Sequence, residues 1–211
     1  MTTHTFTKKE EIVHAATHGI GVIFSIVALV LLVIFAKQNG DTRQVVSVSI
    51  FGVTMLLMYL SSTICHGLPE GKWKELFQIF DHSSIYLFIA GSYTPIMMGP
   101  LRTDLGWKLL IIVWGIAILG IIFKFFFVKK FLVLSTVFYV LMGWLIIIAW
   151  KPLAEVFPSQ ALDYLIAGGI FYTVGTIFYV WRKFHYHHAI WHLFVIAGSV
   201  FHFFSFLIYI S

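Results

Sequence analysis

Apolar residues in this chain come in long unbroken runs, separated by short polar breaks, rather than at the three-and-four spacing of a soluble helix or the alternation of an exposed strand. A helix needs about 20 apolar residues to cross roughly 30 Å of hydrocarbon. Runs of that length predict helices near 17–36, 45–66, 80–98, 107–128, 131–150, 162–181 and 188–210. With connections this short, consecutive helices are expected to be antiparallel neighbours. The pattern predicts an all-α integral membrane protein with seven transmembrane helices, a single domain over 1–211 whose residues 1–15 form a polar N-terminal segment.

Composition strengthens this reading. The 211 residues are 60% hydrophobic and only 11% charged, with a mean hydropathy of +0.93, well outside the soluble range. The first apolar run is too long, and lacks the small-residue cleavage site, to be a removable signal peptide, so it is expected to stay as the first span. Cys65 is the only cysteine, which excludes an intramolecular disulfide.

The formal charge of +5 would suit nucleic acid if it were clustered. The basic residues instead scatter through the breaks, the pattern of membrane topology, and no nucleic-acid partner is expected. Placing the N-terminus in the cytoplasm puts nine of the 14 Lys and Arg residues on inside segments. That excess predicts an N-terminus inside and, after seven spans, a C-terminus outside.

Candidate chemistry follows from the order of the spans. His66 ends the second, Asp81 begins the third, and His188 and His192 begin the seventh, so all four reach one face of the membrane whichever way the protein is inserted. Ionisable residues in spans are costly and mark functional sites. His188 and His192 are four apart, as are Ser62 and His66, so each pair shares a helical face. Two imidazoles one turn apart plus a third from another helix form the protein part of a catalytic zinc site, which leaves a position for water. Imidazole also suits copper, iron and nickel; without a thiolate set or a histidine-carboxylate triad, Zn2+ is the first choice. Asp81 is placed to hold the water, and Ser62 to bind the water or a substrate oxygen. A proton relay and a structural polar cluster remain the alternatives at this point.

The other histidines read more blandly. His14 and His18 are also four apart, one turn beyond Glu11, but follow a Thr-Lys-Lys-Glu-Glu lead-in expected to be a solvated first turn. His4 falls in the polar tail. His82, His185 and His187 are read as interfacial anchors, and His202, roughly 15 Å along the helix from His192, as a hydrogen-bonding partner of another helix. Gly19, Gly21, Gly168, Gly169, Gly175 and Gly198 are expected at close helix contacts. Pro95 is expected to kink or end the third span, Trp107, Trp150 and Trp181 to mark interfaces, and Lys124 to snorkel to the inner surface. No charge-lined pore, inverted repeat, P-loop or dinucleotide fingerprint is visible.

Together, the segment Ser61-Ser62-Thr63-Ile64-Cys65-His66, the stretch from Asp81 through Gly91-Ser92-Tyr93-Thr94-Pro95, and His188-Ala189-Ile190-Trp191-His192 resemble the hemolysin III family. Thr17-His18-Gly19-Ile20-Gly21 is similar to the family's opening. This is the bacterial branch of the progestin and adipoQ receptor proteins, in a superfamily with the alkaline ceramidases, and the likeness runs from about Glu11 to the C-terminus. It implies seven helices in a bacterial cell membrane, N-terminus inside, with zinc near the cytoplasmic side. By position it implies zinc ligands at His66, His188 and His192, the acidic partner of the water at Asp81, and the serine one turn before the first ligand at Ser62. The family usually has asparagine where this sequence has His14.

The resemblance makes a zinc-dependent hydrolase of a lipid amide or ester the leading expectation, with a membrane lipid entering from the inner leaflet as substrate. Two other classes stand beside it. One is a haemolysin-like lytic or pore-forming protein, which would need a homo-oligomer because the spans are too apolar to line a channel singly. The other is a receptor or regulator of membrane lipids in which zinc is structural.

Overall fold

The computed structural model describes residues 6–211, which leaves His4 outside the described residues. Among the described residues all regular structure is helical: α1 (Lys8–Asn39), α2 (Thr42–Gly67), α3 (Lys72–Met98), α4 (Asp104–Phe127), α5 (Leu132–Gly143), a 3₁₀ segment (Trp144–Ala149), α6 (Trp150–Val156), α7 (Ser159–Val180) and α8 (His187–Ile210). Helices pack in the sequence α1–α2–α3–α4, α5 touches α3 and α7, and α8 closes the bundle between α7 and α1. Glu10 Oε1 accepts the Tyr186 backbone N–H at 3.2 Å, and Asn39 Nδ2 donates to the Ile210 carbonyl at 3.2 Å. These ties join start to start and end to end, so α1 and α8 run parallel.

Six stretches are long and apolar enough to cross a membrane: α1, α2, α4, the joined α5–α6 segment Leu132–Val156, α7 and α8. The expected third span, α3, is as long as the others but carries Lys72, Lys74, Glu75, Asp81 and His82 in its first half, so composition alone does not qualify it. Large apolar side chains such as Ile23, Ile111, Leu119 and Phe126 are more than 60% exposed on the outer faces. An apolar exterior on this scale suits lipid rather than water, and the chain is a multi-pass membrane protein.

α1 begins well before the expected apolar run because Thr7 builds a capping box: its side chain accepts the Glu10 N–H at 3.3 Å, and Glu10 accepts the Thr7 N–H at 2.8 Å. Thr7, Lys8 and Lys9 of the lead-in are exposed, as expected of a solvated first turn, whereas Glu10 turns inward and is buried. Glu10, His14, His18, Gly21, Ser25, Ala28, Leu32 and Ala36 form one buried face of α1. The close contact expected of Gly21 is present, since a Cβ there would run into the Tyr59 ring.

The expected fifth span is broken. Tyr93 on α3 donates its hydroxyl to the carbonyls of Met142 and Gly143 at 2.9 and 2.8 Å and accepts the Ile146 N–H at 2.8 Å. A side chain inserted into the backbone ladder is a recognised cause of such a break, and here it turns α5 into 3₁₀ geometry. Pro95 does not end α3, which continues to Met98. Lys124 does not reach the surface: it is fully buried, 5.9 Å from the centre of the Tyr139 ring.

Candidate metal centre

His66 lies in the last turn of α2, and His188 and His192 in the first two turns of α8. One ring nitrogen from each lies within 4.8 Å of the others, and all three residues are buried. Nitrogens sharing one tetrahedral zinc at 2.0–2.1 Å stand about 3.4 Å apart, so modest side-chain rotation would bring this set to coordinating geometry.

Oxygen partners leave the right nitrogens free. His66 Nδ1 meets Glu11 Oε2 at 2.6 Å, while its Nε2 is buried without a hydrogen-bond partner among the described residues. His192 Nδ1 lies 3.2 Å from the His14 carbonyl and 3.1 Å from Thr17 Oγ1. An oxygen acceptor on one ring nitrogen fixes the tautomer and presents the other to a metal. Lys74 holds Glu11 in turn at 2.9 Å and donates to the Cys65 and Leu68 carbonyls at 3.1 and 3.2 Å, anchoring the end of α2. Three imidazoles, two of them backed by oxygen partners, make a donor set that fits zinc.

The entry to α8 is fixed just as firmly. Tyr186 takes a left-handed conformation at φ 62°, a strain of about 1–2 kcal/mol for a non-glycine residue. Its N–H is the one accepted by Glu10. His187, read from the sequence as an interfacial anchor, is the first residue of α8 and is buried, with Nδ1 2.9 Å from the Phe178 carbonyl. His185 is surface-exposed and lies 3.4 Å from Glu10.

A cavity of about 150 Å³ opens from the histidines between α2, α3, α5, α7 and α8. At about 10–15 Å³ per water-sized probe, it has room for a chain-like ligand. Ser62, Asp81, His188 and His192 line its polar end; Ile85, Phe88, Ile89 and Val195 line the middle; Ile96, Ile146 and Trp150 line the far end. From Asp81 to Ile96 along α3 is about 22 Å. Ser62 Oγ is buried without a partner among the described residues. Asp81 is part of the cavity wall rather than of the close nitrogen set, its Oδ2 lying 3.8 Å from His82 Nδ1.

A family profile described as Haemolysin-III related matches residues 6–203. The chain belongs to this family. It is 55% identical over 204 residues to the Hemolysin-3 homolog of Bacillus subtilis (strain 168), covering 97% of this chain and 96% of that protein. Hemolysin-3 of Bacillus cereus is 52% identical over 210 residues, covering 100% and 96%. The human Monocyte to macrophage differentiation factor is 28% identical over 208 residues, covering 91% and 82%.

Ser62, Asp81, His188 and His192 thus line the polar end of one cavity in a haemolysin-III-related protein, and His66 lies beside the two histidines without lining it. Sequence reasoning passed over Glu11, Lys74 and Thr17 as supports, and placed His14 and His18 in a solvated turn. Both histidines are buried, and the His18 ring stacks on His192 at 3.4 Å between centroids with an interplanar angle of 11°. His82 and His202 also border the cavity, His82 with Nδ1 2.8 Å from the Gln78 carbonyl.

Proposed function

We propose that this protein is a zinc-dependent hydrolase of a lipid amide or ester. The observation that carries the reading is a buried three-histidine set at the polar head of a long apolar cavity, with Asp81 and Ser62 in the wall beside it. In this reading all seven long helical segments, including α3, cross the membrane as one domain over 1–211. The N-terminus is cytoplasmic and the C-terminus outside, supported by the bias of basic residues and by the parallel α1 and α8.

His66, His188 and His192 would hold the ion. Zinc, when bound, lowers the pKa of water toward 7 and polarises a carbonyl. Asp81 takes the proton from the attacking water, and Ser62 hydrogen-bonds the substrate's carbonyl or headgroup oxygen. Ile85, Phe88, Ile89 and Val195 accept the acyl chain, which enters sideways from the inner leaflet and excludes water from the reacting bond.

The test compares metal content by mass spectrometry in the natural protein and a variant with His66, His188 and His192 all changed to alanine, alongside fatty-acid release from defined lipids. About one zinc per chain, lost in a folded variant together with lipid cleavage, is the expected result. Asp81→Ala should retain zinc and lose turnover; full activity in that variant would reject its role. The name of the two Bacillus relatives favours a second reading, membrane lysis. Dye leakage from liposomes that persists without the three histidines would select it, and zinc retained with neither activity would favour a regulator of membrane lipids.

A further inference from the structure

The resting centre has a fourth imidazole within reach. The His14 ring on α1 lies 4.9 Å from that of His66, 5.0 Å from His188 and 5.6 Å from His192, centroid to centroid. His14 is fully buried, and neither of its ring nitrogens has a hydrogen-bond partner among the described residues. A neutral imidazole carries one donor and one acceptor, and leaving both buried and unmatched is unfavourable. One side chain so placed calls for a ligand.

Glu11, His14 and His66 also offer atoms within 4.8 Å of one another, which raises a second metal position on the α1 side. The Glu11–His66 distance of 2.6 Å argues against it, because two ligands of one zinc stand about 3.4 Å apart. That pair is a hydrogen bond, and Glu11 is further committed to Lys74. His18 is a poorer ligand than His14 because its ring lies flat against His192. His14 is left with one metal to serve.

We propose that His14 is a fourth protein ligand of the zinc held by His66, His188 and His192, supplied by α1. The inference rests on the reading that those three bind metal. His14 does not line the cavity, whereas His188, His192, Asp81 and Ser62 do. It therefore completes the protein shell from the α1 side and leaves the cavity side for water and substrate, as zinc sites that expand to five ligands allow.

X-ray absorption at the zinc edge of the purified, zinc-loaded protein counts imidazoles directly, and competition with a chromophoric chelator gives affinity. The natural protein should show four imidazoles. His14→Ala and His14→Gln should show three, with affinity reduced by more than the roughly 10–100-fold typical of an outer-shell partner; circular dichroism and gel filtration check that both are folded. Three imidazoles in the natural protein, or unchanged coordination and affinity in the variants, would overturn the role of His14 while leaving the three-histidine reading intact. Absence of zinc from the natural protein would overturn both. The count in the natural protein decides even if neither variant folds.

Discussion

Glu11 is joined on one side to His66 at 2.6 Å and on the other to Lys74 at 2.9 Å, so a carboxylate in a largely apolar helix links a metal-ligand candidate to a surface-side cation. Removing its charge while keeping its shape should loosen the orientation of His66. Glu11→Gln is expected to weaken zinc binding roughly 10–100-fold by chelator competition with helicity unchanged. An unchanged affinity would make Glu11 a helix tie only. The ligand candidates were legible from spacing: pairs four apart, and spans whose order returns them to one face. The supports were not, because Glu11 and Lys74 are ordinary surface residues until α1 and α3 pack against the end of α2. Yet buried positions 10, 14, 18, 21 and 25 of α1 keep a three-and-four spacing, and the polar members of that stripe were the available signal that the helix faces inward.

At the scale of elements, the extent of α1 depends on its capping box and the break in the fifth span on one hydroxyl. Thr7→Ala removes the cap and should cost about 0.5–2 kcal/mol, seen as a lower thermal midpoint in detergent and faster hydrogen exchange confined to the first turns of α1. Tyr93→Phe strips the Ile146 N–H and two carbonyls of their partner. It should destabilise the protein by about 1–3 kcal/mol, and a variant as stable as the natural protein would show that the 3₁₀ segment needs no such support. The helices themselves follow from apolar run length, which is why six of the seven expected spans meet the length and composition test. The interruption of Leu132–Val156 is invisible in a uniformly apolar run because its cause lies on α3. The hidden start of α1 follows from treating Thr7 to Glu11 as hydrophilic when its Thr-x-x-Glu spacing is a start signal.

For the whole molecule, the cavity couples the polar end to the opposite side of the bundle. If it receives an acyl chain, its depth should set the preferred chain length. Ile166→Phe, which adds bulk to the lining, is expected to shift turnover toward shorter chains with zinc content unchanged, measured on lipids differing only in acyl length. An unchanged preference would place the chain elsewhere. That a cavity exists was not readable from the sequence, since lipid-facing and cavity-facing apolar residues look alike without the packing of α5 and α7.

The parallel seam between α1 and α8 bears on how the protein is made. His66 enters the membrane early in synthesis, whereas His188 and His192 belong to the last described helix and reach their places only when it docks beside the first. If the three histidines hold zinc, nascent chains ending before His187 have no centre to fill, so capture would follow translation of α8 and act as a latch on the finished bundle. Chains arrested before and after α8 should differ sharply in zinc retention, and equal retention would show that the early helices capture the ion unaided.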